Sequence, residues 1–266
     1  MSITRHSIEA GMFVRERAAA AEARATLVWI HGLGESGLCF EQIVTDAELA
    51  ATRHLVADLP GYGRSAWPEI PATLTETADR LAGWLVRRGE PPSVLVGHSM
   101  GGVIALLLAE RHPQLVLALI DIDGNKSIDD CSFSEPAARA SAESFRARGF
   151  ESLKEQVYRD GARDEALRGY YVSLRLADPV SYHAHARELV ALSLDERLAD
   201  RLAALRLPAL FVAGVPRGVS ERSRELLARA GVRCALVTES GHWPFIDRPR
   251  QFTAAIESWL SEVLED

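Results

Sequence analysis

A hydroxyl becomes a useful nucleophile when a turn holds it clear of its own backbone, a base can take its proton, and donors await the oxyanion it creates. Ser99 lies in Gly97-His98-Ser99-Met100-Gly101, between an apolar run at 93–96 and an aliphatic stretch at 100–112. That is the strand, tight turn and helix needed to lift a serine out of a sheet. Glycines on either side let strand and helix approach closely, and the start of a helix adds a partial positive field near the hydroxyl. His31-Gly32-Leu33-Gly34 closes an earlier apolar run. Its flexible backbone can aim an amide at the same point, so the amides of Leu33 and Met100 are the expected oxyanion donors. The expected base is His242, in Ser240-Gly241-His242-Trp243-Pro244, just beyond the apolar run at 232–237. His31 is read as holding its loop by a hydrogen bond, His98 as part of the nucleophile turn, and His54 and His112 as structural.

These groups need a scaffold that brings strand ends together. Short apolar runs at 25–30, 54–58, 93–96, 115–122, 209–213 and 232–237 alternate with amphipathic stretches. Strands apolar on both faces belong to a mostly parallel sheet covered by helices on each side. Thr73-Leu74-Thr75-Glu76 reads as a capping box, Gly89 as the end of its helix, and 252–263 carries apolar residues at helical spacing. A hairpin is expected within 3–17. Residues 125–199 break the alternation: no strand is evident, only helix-like stretches such as 135–148, 153–160 and 164–176. The chain therefore reads as a sheet domain, 1–124 and 200–266, interrupted by a helical insertion at 125–199.

His31-Gly32-Leu33-Gly34, Asp58-Leu59-Pro60-Gly61-Tyr62-Gly63-Arg64-Ser65, Gly97-His98-Ser99-Met100-Gly101-Gly102 and Ser240-Gly241-His242-Trp243-Pro244 resemble the α/β-hydrolase family in order and rough spacing. The resemblance covers nearly the whole chain outside the insertion. It implies an α/β fold with an eight-stranded, mostly parallel sheet, a helical cap after the sixth strand, and the chain order nucleophile, acid, histidine. Many relatives carry the acid after the seventh strand in a Gly-x-x-Asp turn, but here that turn reads Gly214-Val215-Pro216-Arg217. Some relatives place the acid after the strand before the cap, which here ends Ile120-Asp121-Ile122-Asp123-Gly124-Asn125. Asp123, at the loop end, is the expected acid. Asp121 and Glu221 are its alternatives, and a dyad without acid is a third.

The expected reaction is hydrolysis of a small-to-medium acyl compound, a carboxylic ester first, through an acyl-enzyme on Ser99 with His242 as base and Asp123 orienting it. A lactonase, thioesterase, amidase, cofactor-free perhydrolase or haloperoxidase, or C–C bond hydrolase would reuse the same groups. A non-catalytic ligand-binding protein on this fold is the rival from another class, and Arg217 in place of an acid favours it mildly. Trp67 and Trp243 adjoin motif loops and are the expected substrate contacts, with Tyr171 from the insertion. No metal or organic cofactor is implied. A formal charge of −7 gives no reason to expect nucleic acid or an anionic membrane as partner. No apolar run approaches the roughly 20 residues that span a bilayer. Three scattered cysteines, Cys39, Cys131 and Cys234, suit free thiols and a cytoplasmic location. A homodimer is compatible with the sequence.

Overall fold

The computed structural model describes residues 4–265. Eight strands form one sheet: β1 (Thr4–Glu9), β2 (Met12–Arg17), β3 (Thr26–Ile30), β4 (Arg53–Ala57), β5 (Ser93–His98), β6 (Val116–Ile122), β7 (Ala209–Arg217) and β8 (Cys234–Gly241). Their order is β1-β2-β4-β3-β5-β6-β7-β8. β1 and β2 form the expected hairpin, and β2 runs antiparallel to β4; residue 3 lies outside the described residues. All pairings from β4 to β8 are parallel. The hairpin turns at Ala10 and Gly11, both at positive φ, the backbone that matches the twist of a two-residue connection.

β3 and β5 are buried along their whole length, because helices cover both faces. α1 (Leu74–Arg88) begins with the capping box of Thr73 and Glu76 and ends at Gly89 in the left-handed region. α2 (Met100–Arg111) follows the Ser99 turn and buries every residue from Met100 to Ala109. β7 extends beyond its apolar run to Arg217, since its outer half pairs with β8. β8 starts later than the run at 232–237 and reaches Gly241.

Between Ile122 and Ala209 the described residues contain no strand. The helices of six residues or more there are α3 (Ser134–Arg139), α4 (Phe150–Asp160), α5 (Glu165–Leu174), α6 (Pro179–Leu194) and α7 (Leu198–Ala203). The stretch at 135–148 is not one helix. Ala140 is extended, and the Ser141 hydroxyl accepts from the Ser144 amide to start the chain again. α6 begins where Asp178 accepts from the amides of Val180 and Ser181. It buries Ser181, Tyr182, His183, His185, Ala186, Leu189 and Ser193, one broad face on which polar side chains are mixed with apolar ones.

This helical segment is fastened to the loops after β3 and β4. The Asp178 amide donates to the Gly61 carbonyl (2.8 Å), and the Leu74 amide to Glu188 (2.8 Å). His185 Nε2 faces the Ala72 carbonyl (2.8 Å) and so donates to it. His185 Nδ1 therefore accepts from the Tyr62 hydroxyl (2.7 Å). The remaining long helices, α8 (Glu221–Ala230) and α9 (Pro249–Glu265), follow β7 and β8.

Candidate active site

Ser99 stands at the junction of β5 and α2 with φ 53° and ψ −119°, a backbone state that a non-glycine residue adopts only under constraint. The constraint is steric. A Cβ on Gly97 would lie 2.3 Å from the Gly101 carbonyl oxygen, and one on Gly101 would lie 2.0 Å from that of Ile30. Both positions must be glycine for strand and helix to close on the turn. The Ser99 amide is anchored to the Ile122 carbonyl (2.9 Å). Its hydroxyl has no hydrogen-bond partner among the described residues. The amides of Gly102 and Val103 turn back to the Ser99 carbonyl. The Met100 amide opens the helix and has no acceptor within it.

The loop after β3 is held by His31, whose ring is fully buried. His31 Nδ1 donates to the Gly32 carbonyl (2.8 Å) and Nε2 accepts from the Leu59 amide (2.9 Å). The Gly32 amide is taken by Glu35 Oε2 (2.6 Å). Of the two amides, only that of Leu33 is left for a ligand.

His242 follows the last residue of β8, and the Gly241 amide before it is tied to Asp247 (2.7 Å). His242 Nδ1 lies 3.9 Å from Asp123 Oδ2, close but beyond a hydrogen bond. Asp123 comes directly after β6 with φ 44°, and its amide donates to Val212 of β7 (3.0 Å). Its Oδ1 accepts from the Gly214 amide (3.1 Å), whereas its buried Oδ2 has no hydrogen-bond partner among the described residues. The carboxylate leans into a niche that two glycines open: a Cβ on Gly218 would fall 2.3 Å from Oδ2, and one on Gly214 3.1 Å from it. Burial pushes the Asp123 carboxyl well above its ordinary value. Burial, aided by His98, holds His242 down to about 3.

The other acids weighed from sequence are not so placed. Asp121 is bound to the buried Lys126 ammonium (2.7 Å) and to the Gly124 amide (3.1 Å). Glu221 sits exposed at the start of α8, and Arg217 is exposed at the end of β7. Asp130, which sequence reasoning missed, also borders His242. Its carboxylate is engaged by the Lys126 and Ser220 amides and the Ser223 hydroxyl.

Ser99, Leu33, His242 and Trp243 line one cavity of about 20 Å³, roofed by Phe133 and Tyr170 of the helical segment. Trp67 and Tyr171, expected to touch substrate, do not line it. Trp67 points to solvent, 56 % exposed, because it lies beyond the turn that Ser65 closes with Tyr62. Tyr171 packs on Tyr158 instead (ring centroids 5.1 Å). One helical step of about 100° separates it from Tyr170, which is the ring turned inward against Trp243 (5.6 Å). Glu35 and His98 also line the cavity. The only sequence signal for Glu35 was its place in the His31 loop.

Residues 27–256 match the family model described as "Alpha/beta hydrolase family". Over 245 residues the chain is 29 % identical to the pimeloyl-[acyl-carrier protein] methyl ester esterase of Edwardsiella ictaluri, covering 86 % of this chain and 91 % of that protein. Among solved structures, a thermophilic esterase from Thermogutta terrifontis superposes with a TM-score of 0.77 at 24 % identity, covering 98 % and 99 % of the two chains. An enol-lactonase from Burkholderia xenovorans LB400 gives 0.78 at 20 % identity, covering 97 % and 100 %. Both share the fold. No helix among the described residues is long and apolar enough to cross a membrane.

Proposed function

The chain belongs to the alpha/beta hydrolase family, and we propose that within it the protein is a serine hydrolase acting on a small-to-medium carboxylic ester. The observation that carries this reading is the orphaned Asp123 Oδ2, aimed from 3.9 Å at Nδ1 of His242, which itself lines the cavity beside the strained Ser99 turn. A buried carboxylate oxygen without a partner costs stability unless it serves another state of the site. Pairing with a His242 ring that carries a proton on Nδ1 would satisfy it.

In the proposed cycle His242 Nε2 takes the Ser99 proton as Oγ attacks the ester carbonyl, and the amides of Leu33 and Met100 receive the oxyanion. The imidazolium then returns its proton to the leaving alcohol, and water deprotonated by His242 releases the acid. Asp123 holds the tautomer with Nε2 free and stabilises the transient positive ring. An ester is favoured over other acyl compounds by the relative in Edwardsiella ictaluri, whose name states a methyl ester substrate.

A cavity of about 20 Å³ has room for roughly one water. Substrate entry in this reading therefore moves Phe133 and Tyr170, which makes residues 125–199 a cap. The test is turnover of p-nitrophenyl acyl esters by the wild type and by Ser99→Ala, with fluorophosphonate labelling of Ser99. Turnover and labelling that both vanish in Ser99→Ala support the reading; an inert and unlabelled wild type refutes it.

A further inference from the structure

Glu35 and His98 face the cavity, yet the cycle above uses neither. Glu35 is 2 % exposed and His98 1 %. Glu35 Oε1 accepts from the Trp243 ring N–H (2.5 Å), and Oε2 accepts from the Gly32 amide and faces His98 Nδ1 (2.9 Å). The second ring nitrogen, His98 Nε2, faces the backbone carbonyl oxygen of His242 at 2.7 Å. A carbonyl oxygen has no proton to give, so Nε2 must carry one. The Nδ1 contact also needs a proton, and a carboxylate already accepting two N–H bonds is the weaker holder of it. Burial opposes ionisation of Glu35, but the charge and hydrogen bond of His98, with those of Trp243 and Gly32, outweigh it and hold the carboxyl down to about 2.

We propose that Glu35 and His98 form a buried carboxylate–imidazolium pair that acts as a positioning device, tying the Leu33 loop and the Ser99 turn to the backbone of His242. The inference rests on the hydrolase reading, because it assigns the pair a task in that reaction. Its geometry suits the task. Glu35 lies on the loop after β3, His98 is the last residue of β5 and directly precedes Ser99, and the carbonyl it grips belongs to His242 itself. Three segments distant in sequence, each bearing one working group, are therefore joined by two charged side chains. By taking the Gly32 amide, Glu35 also fixes the peptide beside the Leu33 amide.

The pair acts on His242 through charge as well. The His98 ring centroid lies 4.7 Å from that of His242, so a second proton on His242 is disfavoured. Glu35, Asp123 and Asp130 oppose this from the other sides. Around Glu35 itself stand the Cys39 thiol (3.7 Å), His31 and Tyr170. The nearest ring to His242 is thus the cationic one, which favours a neutral base.

The experiment is ¹⁵N-histidine NMR of the full chain at pH 7.5, with kcat/KM–pH profiles of the wild type, Glu35→Gln and Glu35→Asp on a p-nitrophenyl ester. In the wild type both His98 nitrogens are expected to be protonated. In Glu35→Gln one should be unprotonated, and the acidic limb should move upward by about half to one pH unit. Most of the loss should fall in kcat rather than KM. Glu35→Asp, which keeps the charge, should restore the doubly protonated ring and the wild-type limb. A bare nitrogen on wild-type His98 overturns the pair even if Glu35→Gln fails to fold. An unmoved acidic limb in a folded Glu35→Gln overturns its role in the reaction. The NMR signature needs no turnover, so an inert protein with an intact imidazolium counts against the hydrolase reading, whereas an active one with neutral His98 counts against the pair.

Discussion

Replacing Asp123 by Asn separates the two things its carboxylate does. The side chain keeps its shape, and its oxygen can still accept from the Gly214 amide as Oδ1 does now (3.1 Å). The other atom, 3.9 Å from His242 Nδ1, becomes an NH₂ that can only donate. Nδ1 must then accept, the ring proton moves to Nε2, and Nε2 can no longer take the proton of Ser99. The expected loss in kcat is roughly 10⁴-fold, the size seen when the acid of a serine-protease triad is amidated. Stability should move the other way. Burial holds the Asp123 carboxyl well above its ordinary value, so its contribution to stability is full below about pH 4 and is lost as pH rises through the folded value. Asn carries no such charge. Asp123→Asn should therefore melt above the wild type at pH 8, with the gap closing toward pH 4. Steady-state ester hydrolysis and melting curves at the two pH values check both halves. Near-normal turnover in Asp123→Asn, with collapse in Asp130→Asn, would refute the assignment and move the acid to Asp130.

The site makes three further commitments. Because burial and His98 hold His242 down to about 3, the neutral base should persist below the ordinary imidazole range. The acidic limb of kcat/KM should then fall clearly below pH 6.5, and a limb at the unperturbed value contradicts this. Gly218→Ala puts a methyl 2.3 Å from Asp123 Oδ2 and 2.4 Å from the Gly214 carbonyl oxygen. It should cut kcat by about 10² or more by displacing the acid, while fluorophosphonate still labels Ser99; unchanged kcat would show that the niche is not needed. Lys126→Met strips the buried partner from Asp121 (2.7 Å) and should cost about 3–5 kcal/mol in urea unfolding. Adding Asp121→Asn should recover most of it, and a double variant no better than the single one counts against pairing as the cause.

Much of the sheet was legible because burial on both faces leaves a plain mark. β3 and β5 are buried throughout, and their residues are apolar almost without interruption. The far ends of β7 and β8 left no such mark: beyond Val212, β7 pairs only with the edge strand β8, and pairing there needs no apolar side chain. α6 was hidden for another reason: its buried face carries Ser181, His183, His185 and Ser193, while Val180 and Leu194 are exposed, so no apolar stripe marks it. Around the site, Ser99 and His242 could be found from their own turns, because strained or tight backbone demands glycine and proline nearby. Trp67 and Tyr171 show the limit of that logic. Adjacency to a motif does not aim Trp67, and a place in the helical segment does not aim Tyr171, where the inward ring is Tyr170.

The acid shows what sequence could have yielded and why. Its usual turn holds Arg217, which leaves that position without a carboxylate. β6 and β7 are neighbours in parallel register, with Ile122 opposite Val212, so a carboxylate one residue beyond Ile122 can lean across the end of β7. There it meets the Gly214 amide and the gap above Gly218. The gap above Gly218 is therefore the complement of Asp123, since a Cβ there would fall 2.3 Å from its Oδ2. With that space taken by a side chain of the β6 end, Arg217 at the end of β7 faces solvent.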